Sequence, residues 1–243
     1  VNEGAQVGDF SRERGPHDPQ QRSPPDLHLQ PVRKNNLART GRPEPVPPPA
    51  AIGSLPWVAR RRACWSEAGW HSKGGRTAPG MHGDVYDLPN HPAALVMWYE
   101  ALAFCRWLTA RLRQAGELGP EQEVTLPSEA QWEKAARGTD GRLYPWGDDP
   151  PTCERAQFYE CEGGTQPVGS TSPAGNSPYG AADMSGNVWE WTASDYDKSS
   201  KVLRGGGWNE LERYVRAANR NNALPNNRHN RVGFRCVVVS PGN

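Results

Sequence analysis

The segment VLRGGGWNELERYVRAANRNNALPNNRHNRVGFRCVV, residues 202–238, carries most of the information about the fold and its use. Apolar residues frame it: Val202, Leu203 and Trp208 at one end, and Val232, Phe234, Val237 and Val238 at the other. Seven asparagines lie between them, at positions 209, 219, 221, 222, 226, 227 and 230. Asparagine is a poor helix former and a poor strand former. The segment therefore predicts a solvated display surface held up by the apolar frame, rather than a catalytic cleft.

Composition limits the classes of function. Charge is balanced, with 28 basic and 27 acidic residues, so we expect no nucleic-acid partner. No apolar run approaches the roughly 18 residues of a membrane helix, and no membrane span is expected. No signal-peptide pattern follows Val1, which fits a fragment or a processed form and leaves both a cytoplasmic and a surface-displayed location open. Ten Trp, 26 Gly and 24 Pro indicate a loop-rich domain stapled by large aromatic side chains.

The first part of the chain differs from the rest. Residues 1–56 contain eleven prolines, scattered arginines and almost no periodic apolar pattern. Such a composition predicts a disordered tail or linker. A basic arm and a misread reading frame are the alternatives. Aromatic residues begin at Trp57, so the folded domain is predicted to span residues 57–243.

Two helices are predicted before a long region of loops and short strands. Residues 95–114 place Trp98, Ala101, Leu102, Cys105, Leu108 and Leu112 at helical spacing, and Gly116 ends the pattern. In residues 126–138, Ser128 and Gln131 form a capping box and Gly138 is a natural C-terminal cap.

Six blocks carry a family resemblance: LPSEAQWEKAARG (126–138), YPWG (144–147), PVGS (167–170), YGAADMSGNVWEW (179–191), VLRGGGW (202–208) and VGFRC (232–236). Together and in this order they resemble the formylglycine-generating-enzyme/sulfatase-modifying-factor domain. The resemblance covers roughly residues 85–240 and fades before them. It implies an α+β, C-type lectin-like fold with two helices and short antiparallel strands.

Within this family, the asparagine-rich stretch resembles the variable region of diversity-generating retroelement target proteins. In those proteins, adenine-directed mutagenesis rewrites Asn codons at surface positions and so varies a ligand-binding face. The resemblance implies a variable region over residues 202–236 and a protein or surface ligand as partner. The side chains expected to vary and to bind the ligand are Asn209, Leu211, Tyr214, Asn222, Ala223, Leu224, Asn226, Asn227, His229 and Arg231. Glu210 and Glu212 do not fit, because an Asn codon that changes only at adenines cannot become a Glu codon. These two positions either have a different template codon or are not diversified.

An enzyme and a fixed-specificity interaction module are the alternatives. The family's oxidases carry a reactive Cys pair after the Gly-Gly motif, and such chemistry needs thiolates. Residues 207–235 contain no Cys. The six His are scattered without ligand spacing. A non-catalytic protein that requires no cofactor is therefore expected.

Further expectations concern calcium and the cysteines. Residues 183–191 resemble a calcium site of some family members, with Asp183 and Glu190 as carboxylate ligands and Gly186 and Val188 as carbonyl ligands. The alternative is a tight turn beside core tryptophans. The resemblance also implies a disulfide between Cys105 and Cys236, against two buried thiols, while Cys153 and Cys161 could pair or stay free.

Overall fold

The computed structural model describes residues 62–76 and 90–240, which belong to one compact unit. The prediction of a disordered tail over residues 1–56 falls outside these residues. Within the described ranges, no helix is both long and apolar enough to cross a bilayer.

The described residues form three α-helices. The two predicted ones are confirmed: α2 spans Trp98–Gln114 and α3 spans Glu129–Arg137. At α3, both bonds of the capping box between Ser128 and Gln131 form, and Gly138 caps the end with a positive φ of 70°. A seven-residue helix, α1 (Glu67–Lys73), adds to the two predicted ones. A 3-10 turn, Arg62–Cys64, precedes it.

In the part of the chain that the structure describes, six short strands form two sheets. Strand β1 (Glu123–Thr125) pairs with β6 (Val237–Val239) in an antiparallel ribbon. The larger sheet has the order β4-β3-β2-β5. Its strands are β2 (Trp189–Asp195), β3 (Lys201–Arg204), β4 (Arg220–Ala223) and β5 (Val232–Phe234). All neighbours in it are antiparallel except β2 and β5, which are parallel.

The larger sheet is covered on both faces. Trp191 and Leu203 are Cα partners and join the core cluster formed with Ala101 and Cys105 of α2. The next pair along, Glu190 and Arg204, points to the other face, because successive side chains of a strand alternate. There Arg204, only 1% exposed, forms ion pairs of 2.8 Å with Glu129 and Glu133 of α3. The C-terminal segment is thereby held between two helices.

The apolar residues that frame the segment differ in how deeply they are buried. Trp189 and Trp191 are fully buried, as are Val202 and Val232. Trp208 and Phe234 are only half-buried, and Val238 is 53% exposed on the edge ribbon. The frame is therefore buried in the central strands, while Val238 is exposed because a two-stranded ribbon covers only one of its faces.

The cysteines divide into a bonded and an unbonded pair. Cys153 and Cys161 form a disulfide with Cα atoms 5.6 Å apart. Cys105 and Cys236 lie side by side with their Sγ atoms 3.5 Å apart, but both are free thiols. The hydrogen bond between these thiols and their burial raise the pKa of Cys105, and the same hydrogen bond lowers the pKa of Cys236. The expected disulfide between Cys105 and Cys236 is therefore not formed, and the two residues are reduced thiols.

Candidate ligand-binding surface

The β3–β4 connection, residues 205–219, begins with a turn that only glycine can form. Gly206 has a φ of 78°, and a Cβ there would lie 2.7 Å from the carbonyl oxygen of Tyr214 and 2.8 Å from Cγ1 of Val215. A side chain at this position would force the connection outward. The glycine run therefore lets the chain fold back tightly after β3 and carry residues 208–214 to the end of the sheet.

Glu210 fastens this connection to the core. Its Oε1 accepts a hydrogen bond of 3.1 Å from Nε1 of the buried Trp189 and lies 3.6 Å from the Arg231 guanidinium. Its carbonyl oxygen accepts a bond of 2.9 Å from the backbone N–H of Tyr159. One residue thus ties together β2, the start of β5 and the disulfide-bonded loop.

Glu212 has a similar role one turn later, in the 3-10 turn Glu212–Tyr214. Its Oε1 accepts a hydrogen bond of 2.8 Å from the Tyr144 hydroxyl, and the Tyr144 ring stacks on Trp146. Burial, together with this bond, raises the pKa of Tyr144. Glu210 and Glu212 are thus both anchors of the segment. They are also the two residues that an Asn codon changed only at adenines cannot encode.

Strand β4 separates two residues that are neighbours in sequence. Ala223 pairs with Lys201, is only 8% exposed and belongs to the core cluster on the α2 face. Asn222 pairs with Val202 and points to the opposite face, where it is exposed. The prediction that Ala223 contributes to a binding surface is wrong, because strand alternation turns its side chain into the core.

The β4–β5 connection, residues 224–231, runs beside the start of α2. Backbone bonds join Trp98 N to Pro225 O at 3.1 Å and Leu95 N to His229 O at 3.0 Å. Arg228 forms a two-pronged ion pair with Glu100, with nitrogen–oxygen distances of 2.5 and 3.1 Å. Burial raises the pKa of Glu100 to about 7. The backbone is fixed at three points, so the side chains between them are held outward.

The structure brings the predicted residues together in two groups. In the first, Asn209, Leu211 and Arg231 surround Glu210, and Tyr214 is half-buried against the core. In the second, Leu224, Asn226, Asn227 and His229 lie along the β4–β5 connection, all of them exposed or half-exposed. Asn222 lies apart on the other face of the sheet.

One residue of this surface has no signal in the sequence. Tyr159 is 64% exposed, and its N–H bonds the Glu210 carbonyl, so it lies beside the first group. It belongs to the loop closed by Cys153 and Cys161, far from the asparagine-rich segment in sequence. Its position depends on a long-range backbone contact, which residue patterns do not encode.

The four residues predicted to bind calcium lie in the turn before β2 and in β2 itself. Both oxygens of Glu190 accept bonds from Arg235, at 2.5 and 2.7 Å, and Oε2 also accepts one of 2.6 Å from Trp132 Nε1. The carboxylate of Asp183 accepts a bond of 2.6 Å from Gly169 N, and burial raises its pKa. Gly186 and Val188 are buried beside them. The Arg235 guanidinium supplies positive charge next to both carboxylates, and calcium binding remains a prediction.

Comparison with known proteins places the chain in a family. Residues 31–239 match the model of the sulfatase-modifying factor enzyme 1-like domain. The chain belongs to this family.

Relatives in the family include proteins with and without a named activity. The chain is 31% identical over 204 residues to an inactive C-alpha-formylglycine-generating enzyme 2 of Bos taurus, covering 74% of the chain and 58% of the relative. It is also 31% identical over 222 residues to a formylglycine-generating enzyme of Streptomyces coelicolor, covering 77% of the chain and 62% of the relative. The chain thus spans about three fifths of these relatives, and membership in the family does not decide whether it is catalytic.

The chain also resembles the solved structure of a variable protein in its fold. Treponema denticola variable protein 1 superposes with a TM-score of 0.52 at 23% identity, over 69% of this chain and 77% of that protein. The comparisons establish the predicted α+β, C-type lectin-like fold class of the formylglycine-generating-enzyme type.

Proposed function

We propose that this chain is a non-catalytic, ligand-binding display protein whose C-terminal segment is diversified by a retroelement. The ligand is a protein or another surface, contacted by the exposed side chains of residues 209–231. One observation carries the proposal: within this segment, the residues that hold the backbone in place are different from the residues that face solvent.

Two of the holding residues, Glu210 and Glu212, are ones that adenine mutagenesis of an Asn codon cannot produce. Glu210 bonds the Trp189 indole and Glu212 bonds the Tyr144 hydroxyl. The side chains of Val215 and Ala217 are fully buried. By contrast, all seven asparagines of the segment are exposed or half-exposed. Variation at Asn222, Asn226, Asn227 and Asn230 would change the surface without removing an anchor. Asn219 differs from these four, because its amide donates a bond of 3.0 Å to the Tyr214 carbonyl oxygen.

The display surface offers chemistry suited to protein recognition. Leu211, Leu224 and Tyr159 are exposed apolar or aromatic side chains. Asparagine and histidine side chains lie among them and supply adaptable hydrogen bonds, as in antibody loops. Arg231 keeps 41% of its side chain exposed beside Glu210 and would favour acidic or aromatic partners.

The DNA around the gene tests the proposal directly. We expect a near-copy of the stretch encoding residues 204–235 that differs only at adenines, next to a reverse-transcriptase gene. At Glu210 and Glu212, the template copy should carry either the same Glu codon or a codon other than Asn from which adenine changes can produce Glu. Flanking DNA without a second copy would refute diversification and leave a fixed-specificity interaction module.

A protein-level test addresses display itself. A library randomised at Leu211, Asn226, Asn227, His229 and Arg231 should keep cooperative unfolding in most members and yield binders to a chosen biotinylated protein. A control library randomised at Glu210, Glu212, Val215, Ala217 and Ala223 should be mostly unfolded. Equal loss of folding in both libraries would contradict a display role.

A further inference from the structure

A cleft of about 490 Å³ lies between the end of α1 and the β4–β5 connection. Residues 72–76 line one side, and residues 226–228 line the other. One wall therefore comes from outside the asparagine-rich segment, and the other comes from its proposed variable part.

The charges around this cleft are mostly positive. Lys73, Arg76 and Arg228 all line it. The Lys73 ammonium bonds the carbonyl oxygens of Gly74 and Arg76, at 3.2 and 3.0 Å, so it shapes the loop rather than facing a ligand. Arg228 is paired with Glu100. The Glu100 carboxylate bonds Arg228 directly, and the charges of Arg76 and Lys73 also act on it and lower its pKa against the larger effect of burial.

Arg76 is exposed, and its guanidinium forms no hydrogen bond or ion pair with any described residue. Across the cleft, the side-chain amides of Asn226 and Asn227 likewise have no bonded partner in residues 62–76 and 90–240. A guanidinium offers a planar pair of N–H donors that matches a carboxylate or a phosphate. The two amides add further N–H donors.

We propose that this cleft binds a compact oxyanion of the ligand, a carboxylate or a phosphate group, held by Arg76 and bonded by Asn226 and Asn227. The inference rests on the proposed display function and adds the chemical class that one part of the surface accepts. A bound cation is disfavoured, because the nearby carboxylate of Glu100 already has both oxygens on Arg228.

The arrangement divides recognition between a constant and a variable wall. Arg76 lies outside residues 202–236, so diversification would leave its charge in place. Asn226 and Asn227 would change and select what surrounds the oxyanion. Different copies would then share a preference for acidic groups but differ in the ligands that carry them.

Amide chemical shifts of the full-length, ¹⁵N-labelled chain test the site. Inorganic phosphate and sodium acetate are titrated in parallel at constant ionic strength. We expect saturable shifts at Gly74, Gly75 and Asn227 with at least one of the two anions, and the anion that binds identifies the source. Shifts that grow linearly with both anions, or that spread over the whole surface, would overturn the proposal.

Variants make the test specific. R76A should weaken binding about tenfold or more, because it removes a charge-assisted hydrogen bond. N227D should weaken it as well, since it puts a carboxylate in the cleft. R111A is the matched control on the exposed face of α2, where Arg111 contacts Gln114, and it should bind like the unchanged chain. Equal weakening by R76A and R111A would reveal a general charge effect and refute the site.

The oxyanion-binding proposal and the display proposal can be refuted independently of each other. Absence of oxyanion binding would leave the library and flanking-DNA results untouched. Oxyanion binding without a second copy in the flanking DNA would indicate a fixed oxyanion-binding protein.

Discussion

The carboxylate of Glu210 accepts a hydrogen bond from the indole of Trp189, with 3.1 Å between Oε1 and Nε1. Trp189 is 1% exposed and lies in β2, one of the two central strands of the larger sheet. An indole N–H in such a place needs an acceptor, since burying it without one costs free energy. The bond therefore serves both partners: it satisfies the core tryptophan and fixes the connection that carries the proposed display residues.

Replacing Glu210 with Ala should lower the free energy of unfolding by about 1–3 kcal/mol, because the Trp189 N–H loses its acceptor. Chemical denaturation followed by tryptophan fluorescence measures the change. Glu210→Gln is the matched control, since its amide oxygen can still accept from Trp189. Similar losses in both variants would show that the charge pairing with Arg231, rather than the bond to the indole, is the important contact.

Core and display positions should respond differently to truncation. Trp191 is fully buried, so Trp191→Ala should cost roughly 3–5 kcal/mol. Asn222 and Asn230 are exposed, and their replacement with Ala should stay within about 0.5 kcal/mol. Trp208 and Phe234 are half-buried and should fall between these limits. Thermal or urea unfolding decides this, and a destabilising Asn230→Ala would give that residue a structural role.

The chain should not convert a sulfatase-type Cys peptide to formylglycine. No Cys lies between Gly207 and Arg235, the stretch that carries the thiol pair in the family's oxidases. With copper and oxygen, the mass of such a peptide should stay unchanged, while the Streptomyces coelicolor formylglycine-generating enzyme modifies it in a parallel reaction. Aldehyde formation at a catalytic rate would replace the display proposal with an oxidase.

Cys105 and Cys236 should join under oxidising conditions, because their Sγ atoms are already 3.5 Å apart. They are separated by 131 residues, and closing such a long loop should add about 4 kcal/mol to the free energy of unfolding. Non-reducing peptide mapping identifies the bond, and urea unfolding before and after oxidation measures its effect. Cys236→Ser is the control, which should show no gain on oxidation. An unchanged midpoint in the oxidised, unsubstituted chain would argue against the prediction.

Local signals in the sequence predicted the parts of the fold that depend on near neighbours. Ser128 and Gln131 are three residues apart, and their capping box needs only the first turn of α3. Helix α1 was not predicted, because it is only seven residues long and contains Gly69, although Ser66 caps it. The parallel pairing of β2 with β5 depends on the path of the β4–β5 connection, about which residue periodicity says nothing.

The sequence predicts which segment forms the candidate surface, but it does not predict which side chains of that segment face outward. The run of asparagines marked the segment, and codon chemistry set Glu210 and Glu212 apart. Which side chains face outward depends on the register of β4 against β3, where Asn222 pairs with Val202 and Ala223 with Lys201. A strand of four residues with three polar ones has no alternation from which that register could be read. Tyr159 lies beside this surface through a backbone bond to Glu210, a contact between residues far apart in sequence.

The pair Ala223 and Leu224 gives the sharpest test of that register. Ala223 is 8% exposed within the core cluster, and Leu224 is 46% exposed one residue later. Ala223→Asn should therefore cost about 1–3 kcal/mol, because it buries an amide without partners. Leu224→Asn should stay within about 0.5 kcal/mol, since its side chain is largely in solvent.

Both substitutions introduce the same residue at adjacent positions, so differences in asparagine's intrinsic propensity largely cancel between them. Urea unfolding of the two variants, with Ala223→Ser as an intermediate step in size, measures the contrast. The expected order of stability is Leu224→Asn above Ala223→Ser above Ala223→Asn. If Ala223→Asn is tolerated and Leu224→Asn is not, β4 is shifted by one residue, and Ala223 belongs on the display surface after all. The expected order instead keeps Ala223 in the core, paired with Lys201 on the α2 face, and Leu224 in solvent just beyond the end of β4.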